Sequence, residues 1–246
     1  MNSFLPEARD AEAELSALSP VGPRQSASEM AYERLRHALI TLAMPPGAVV
    51  SRGAVAQRLG ISQMPVREAL IRLQAENLIE VVPQSATRVT RIDIAHAREA
   101  QFLRLSLELE VVRRLARAPT AALAAALREG IARMRAMLPA GDPASFAEVD
   151  EVFHAMLFAA AGVPRLRDLV RSRSGHLDRL RCLHLPEPGK TDAVLRDHEA
   201  LAAAILDADV ARAEARLREH LSGTFAEAAR LRSANPQFFA GHDVAS

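Results

Sequence analysis

The chain has 246 residues, a single cysteine, no tryptophan, and 31 basic against 30 acidic side chains. That length supports one large domain or two modest ones. Cys182 alone excludes an intramolecular disulfide and a thiolate zinc cluster. No run of 18 apolar residues is long enough to span a membrane, and the acidic N-terminus lacks the apolar core of a secretory signal. A cytoplasmic, helix-rich protein is expected, because Ala and Leu are abundant and aromatics scarce.

Residues 1–27 mix acids, Ala, Ser and Pro and read as a mobile tail. Residues 28–43 place apolar side chains at 32, 35, 39 and 42, which is helical spacing, with Ser28 as a candidate N-cap. Pro45, Pro46 and Gly47 end that helix. A short helix follows at 51–59, then Gly60. Ser62 can cap a third helix with Pro65 in its first turn and Val66, Leu70 and Leu73 as its stripe. The β-branched runs "LIEVVP" and "ATRVTRI" flank Pro83-Gln84-Ser85 and predict a hairpin. From there the period is helical, with helices expected near 95–117, 120–138, 144–161, 164–184, 191–207 and 209–232. The fold class is therefore mostly α: a winged helix-turn-helix over 28–92, an antiparallel bundle of about six helices over 93–233, and a C-terminal tail over 234–246.

Net charge sharpens when it is divided. Residues 1–29 carry two Arg against five acids, residues 30–92 carry eight Arg against four Glu, and the rest balances. A basic module with two helices joined by a Gly-containing turn, then a hairpin, suits DNA: the second helix enters the major groove and a wing bearing Arg88 and Arg91 lies alongside. The bland alternative is a small helical subdomain that packs on the bundle. The side chains expected to meet DNA are Arg52, Ser62, Gln63, Met64, Arg67, Arg72 and Arg88.

The stretch "GISQMPVREALIRLQAENLIEVVP" resembles the winged helix of GntR-type bacterial transcription regulators. "FLRLSLELEVVRRLA" and "DEVFHAMLFAAAGVP" resemble the FCD-type ligand-binding domain of the FadR branch, and six helices after the wing point to its VanR-like subgroup. Arg67 falls on the family's principal DNA-contact position. Five positions depart from the pattern. Gln63 replaces Arg, Met64 replaces Thr, Arg52 replaces an acid, Ala86 replaces the wing-tip Gly, and Val163 replaces an Asn in the effector pocket. Gln reads adenine where Arg favours guanine, so a changed base preference is expected.

Asp150 and His154 lie four apart and share a helix face. By spacing alone this means little, since Glu33 and His37 make a similar pair, read as a surface pair. The resemblance adds His198 and His220: in such regulators the matching Asp and three His hold one divalent metal ion, with zinc or nickel favoured by this donor set. It also implies a small organic acid as effector, paired with Arg104. The plain reading of Arg104 is an i,i+4 pair with Glu108. His176 and His184 are expected to be solvated or structural, and Cys182 buried and inert. The expectation is a homodimeric repressor that binds double-stranded operator DNA, is not an enzyme, and has no membrane partner. The alternatives are a metal-dependent helical enzyme and a structural partner-binding bundle.

Overall fold

The computed structural model describes residues 26–82 and 86–241. Most of the expected N-terminal tail, the wing tip Pro83–Ser85 and residues 242–246 lie outside them. Helix α1 (Ala27–Ile40) is capped by Ser26, not Ser28: its hydroxyl accepts the Glu29 N–H at 3.1 Å. Helix α2 (Arg52–Leu59) is capped by Ser51 and ends at Gly60, whose φ of 67° is the left-handed conformation that a tight exit requires. Helix α3 (Gln63–Ala75) follows two residues later. Ser62 occupies its N-cap position, but the hydroxyl makes no capping bond. Ala69 and Leu73 of α3 pack with Ala31, Tyr32, Leu35 and Leu39 of α1 in one small core, and Val66 of α3 is buried.

Strands β1 (Ile79–Val81) and β2 (Thr87–Val89) form the antiparallel hairpin, with Ile79 opposite Val89 and Val81 opposite Thr87. The segment after α1 adds to β2: Val50 N–H donates to Thr87 O at 2.8 Å and Val89 N–H to Ala48 O at 2.9 Å. So "PPGAVV" both stops α1 and pins the wing.

The bundle comprises α4 (Ile94–Arg117), α5 (Ala121–Met137), α6 (Pro143–Ala160), α7 (Pro164–Arg173), α8 (Gly175–His184), α9 (Lys190–Leu206), α10 (Val210–Ala226) and α11 (Ala228–Ala234). Asp93 and Asp142 cap α4 and α6, each accepting two backbone N–H groups. Phe146, Phe153, Leu157, Leu127, Leu201 and Leu217 fill the interior. Two of the six predicted helices are interrupted. The one expected over 164–184 breaks at Ser174, whose hydroxyl donates back to Val170 O at 2.8 Å, a bond that bends helices. Immediately after it, a Cβ on Gly175 would stand 2.6 Å from Leu78 Cδ2, so the break fits the bundle closely against the winged module. The one expected over 209–232 breaks at Glu227.

The C-terminal segment is not a free tail through residue 240. Ile92 N–H donates to Phe238 O at 2.8 Å and Ala240 N–H to Ile92 O at 3.0 Å, and Phe239 is buried with Ile92, Leu180 and Leu231. Apolar contact and two backbone bonds hold the chain where wing meets bundle.

A polar seam ties the modules together. Arg171 of α7 grips Glu33 through both carboxylate oxygens, at 3.1 and 2.5 Å. Arg179, fully buried, donates to Thr90 O at 2.6 Å and to Thr90 Oγ1 at 3.2 Å. His176 accepts the Asp93 N–H at 2.9 Å and lies 3.1 Å from Asn77 O. Burial, with Arg179 beside it, pushes the His176 imidazole down to about 3.

Candidate metal centre and nucleic-acid face

Asp150 and His154 on α6, His198 on α9 and His220 on α10 converge inside the bundle, with one ligand atom from each within 4.8 Å of all the others. His154 Nε2 is 3.3 Å from both His198 Nε2 and His220 Nε2, and His198 Nε2 is 3.4 Å from Asp150 Oδ1. His154 Nδ1 lies 2.9 Å from Glu108 Oε2, and His198 Nδ1 donates to Val194 O at 2.8 Å. With its proton on Nδ1, His198 presents the Nε2 lone pair to His154 Nε2 and to Asp150 Oδ1, an oxygen with no hydrogen-bond partner among the described residues.

Acceptors facing acceptors in a dry interior are resolved by a cation. Two imidazole nitrogens on one tetrahedral ion with bonds of ~2.0–2.1 Å stand about 3.3 Å apart, the spacing seen here. The donor set therefore fits a divalent ion of the zinc or nickel type.

Electrostatics prepares the ligands. Burial works against charge on Asp150, but the Arg181 guanidinium beside it outweighs it and holds the carboxyl well below its usual range. Burial lowers His154 and pushes His198 well down, so both imidazoles stay neutral, the form a metal binds. Arg181 pairs closely with Asp150 Oδ2 and reaches Asp178 at 3.8 Å. His220 Nδ1 is 3.6 Å from Asp197. Asp150 and His198 are thus oriented by hydrogen bonds from behind, while His154 and His220 each have a carboxylate nearby.

Arg104 does make the plain i,i+4 contact: its Nε is 2.7 Å from Glu108 Oε1. Yet it is only 2% exposed, and its NH2 group has no partner. It lines a narrow cleft with Gln101, Arg181, Lys190, His220 and Thr224, beside the metal ligands. Val163 is half-buried against the bundle core and offers no polar side chain, unlike the Asn that the family pattern favours.

The exposed face of α3 carries Gln63, Met64 and Arg67, with Ser62 at its leading edge. Arg67 forms no ion pair or hydrogen bond among the described residues, and Met64 is 59% exposed. Arg52 donates to Gln63 Oε1 at 3.0 Å, so the two departures from the family pattern face each other. Arg72 does not extend freely: it pairs with Glu29 at 2.5 Å and stacks 3.7 Å over the Tyr32 ring. Arg88 donates to Gly47 O at 3.3 Å on the wing.

Glu33 and His37 do not pair with each other; Glu33 binds Arg171 and His37 lies 3.5 Å from Glu148. His176 and His184 are both buried and stand outside the metal cluster. Cys182 is only half-buried, with its thiol pushed up by burial. Sequence reading missed four contributors. Glu108, Asp197 and Arg181 stand behind the candidate metal-binding side chains, and Ile71, 54% exposed, extends the α3 face one turn beyond Arg67. Only Glu108 left a signal, as the partner of Arg104.

A family model described as bacterial regulatory proteins, gntR family, matches residues 27–89, and one described as FCD domain matches residues 99–223. An HTH-type transcriptional regulator in an unstable DNA locus of Streptomyces ambofaciens is 35% identical over 210 residues, 85% of this chain and 88% of that protein. The HTH-type transcriptional repressor RspR of Escherichia coli K12 is 26% identical over 219 residues, 89% and 96% of the two chains. Among solved structures, E. coli McbR/YncC is similar with a TM-score of 0.72 at 24% identity, covering 83% of this chain and 98% of that one. At that identity the likeness speaks to the fold.

Proposed function

Since this chain belongs to the gntR family of bacterial regulatory proteins, carries an FCD domain, and is thus a DNA-binding transcription regulator rather than an enzyme, we propose that it is a metal-centred, acid-responsive repressor. Its operator grip is set by a small organic acid bound beside a divalent ion held by Asp150, His154, His198 and His220. The observation that carries this reading is the facing set of imidazole Nε2 atoms and the Asp150 oxygen that has no partner among the described residues, with the NH2 of Arg104 nearby. When bound, the ion supplies a fixed positive charge that accepts an oxygen donor. Arg104 adds a charged hydrogen bond to the same acid.

On the DNA side, Ser62, Gln63, Met64 and Arg67 read the major groove. Arg52 acts through Gln63, Arg88 serves the wing, and Arg72 holds α3 on α1. Two chains pair through their bundles and present two winged modules to a pseudo-palindromic operator. The likeness to a named repressor supports the sign of the regulation. The alternative of a metal-dependent enzyme has no counterpart among the similar proteins, which are regulators.

Regulation needs the acid to prefer one geometry. A continuous charged network supports such coupling. From Asp150 it runs through Arg181 to Asp178, then to Arg36 at 3.4 Å, and on to Glu76 at 3.1 Å, the residue that closes α3. Tyr32 donates to the other oxygen of Glu76. One experiment tests both halves. Binding-site selection on random DNA yields the operator, and metal content is measured on the purified wild type and on His198→Ala/His220→Ala. Stoichiometric metal in the wild type and its loss in the variant are expected. Metal retained by the variant would refute the ligand set, and failure to enrich any symmetric site would refute the operator reading.

A further inference from the structure

We propose that the effector is a short diacid whose second carboxylate is held by Lys190. This deepens the reading in which Arg104 and the metal centre bind a carboxylate, and rests on it. Lys190 is the only lysine among 31 basic residues, and it lines the same narrow cleft as Arg104, Arg181 and His220. It is half-buried at the start of α9, and among the described residues no carboxylate lies within 4.0 Å of its ammonium. The acids of that neighbourhood, Glu187 and Glu227, are both taken by Arg230, at 2.5 and 2.6 Å.

The ammonium lies against α10, 3.2 Å from where a Cβ on Gly223 would stand. Gly223 is three residues beyond His220, so Lys190 sits about one helical pitch, ~5 Å along α10, from the residue that supplies a metal ligand. A diacid of three or four carbons spans that interval. One carboxylate faces the ion and the free NH2 of Arg104, and the other faces Lys190.

Charge points the same way. Arg104 is offset by Glu108, and Arg181 by Asp150 and Asp178. Of the lysine and arginine side chains that line the cleft, Lys190 alone has no carboxylate partner among the described residues. A monoacid leaves the lysine unmatched; a diacid matches both ends. The cleft has only about 20 Å³ of free volume, room for about one water. The diacid therefore enters as α9 and α10 draw away from α4. A ligand that fits only the opened arrangement has the differential affinity that a switch requires.

Titration calorimetry on the intact, metal-loaded protein tests this with succinate and with butyrate, the monoacid of equal chain length. Succinate should bind the wild type about tenfold tighter or better, the worth of one charged hydrogen bond. Lys190→Gln should abolish that preference while leaving butyrate affinity unchanged, and Lys190→Arg should restore most of it. Equal affinity for the two acids, a preference that survives Lys190→Gln, or no binding of either acid overturns the proposal. Arg104→Gln separates the two readings. If it leaves both acids unaffected, the effector site itself is wrong; if it weakens both while no diacid preference exists, only the Lys190 assignment falls.

Discussion

The interior of the bundle and the outer face of α3 handle polar side chains in opposite ways. At the candidate metal centre, Asp150, His154 and His198 are at most 1% exposed, and each is held from behind by a residue on another helix or a turn away on its own. On α3, Ser62, Gln63, Met64 and Arg67 stand in solvent, and only Gln63 has a side-chain partner. The first arrangement fixes geometry before a ligand arrives, and burying it is tolerable because Asp150 is paired with Arg181 and Arg104 with Glu108. The second leaves side chains to be ordered at the moment of binding, which suits a surface that samples many DNA sequences before its own. The difference teaches where a substitution should register as lost stability and where as lost recognition alone.

Asp150→Ala should break the interior most severely. It removes a proposed metal ligand and leaves Arg181, 17% exposed in its side chain, with only the 3.8 Å ion pair to Asp178 among the described residues. Breaking one partner out of a buried pair costs about 3–5 kcal/mol. Urea unfolding should show that loss, and the purified variant should carry little metal. Wild-type stability with full metal content would mean that the cluster is not preorganised in the way described.

The outer face should answer in the other currency. Arg67→Ala should weaken operator binding by about 1–3 kcal/mol with no change in the urea midpoint, as expected for a base-reading side chain. Arg72→Ala is the contrast on the same helix. Its guanidinium is committed to Glu29 and Tyr32, so it should lower stability by about 0.5–1 kcal/mol and affect DNA binding less than Arg67→Ala. Fluorescence anisotropy on the selected operator decides between them. If Arg72→Ala proves the more damaging to binding, the division of roles along α3 is wrong.

This contrast also explains what could be read in the sequence. The α3 face is built from local signals: the left-handed Gly60, the Ser62 position, Pro65, and an apolar stripe three and four residues apart. All lie within about a dozen residues, and the structure places the helix there. Asp150 and His154 were legible as one helix face. His198 and His220 were legible only through resemblance, because nothing local joins residues on three helices. Glu108 and Arg181 reach the same ligands from 46 and 31 positions away, where periodicity carries no information. The break at Ser174 escaped for a related reason: its neighbour Gly175 answers to Leu78, in the other module. The packed segment through Ala240 escaped because its bonds go to Ile92.

The seam between the regions should respond to pH. The unfolded chain protonates His176 near 6.5, whereas in the fold burial and Arg179 push it down to about 3. The unfolded state therefore binds more protons between those values. Its contribution to stability is present in full above about 6.5 and is lost as pH falls toward 3, by about 1.4 kcal/mol per pH unit. Urea midpoints at pH 7 and pH 5 should fall further for the wild type than for His176→Gln, the other histidines being common to both. Equal losses would show that His176 is not the proton-sensitive strut of the seam.

The smallest effect should be the most telling about how the two regions communicate. Asp178 touches Arg181, which holds Asp150, and also Arg36, which holds Glu76 at the end of α3. It is neither a metal ligand nor a member of the DNA-reading face, so Asp178→Asn should leave metal content and unliganded operator affinity near wild type. What it removes is the charge that both arginines share. If the network carries the coupling, the change in operator affinity on adding saturating effector should shrink by about 0.5–2 kcal/mol. Arg171→Gln supplies the control, because it severs the Glu33 clasp across the same seam without touching the route from Asp150. Reduced coupling in Asp178→Asn but not in Arg171→Gln would assign the communication to the charged network. Equal reductions would assign it to general loosening of the seam, and no reduction in either would leave α4, the helix that leaves the wing and carries Arg104, as the remaining connection between effector cleft and DNA.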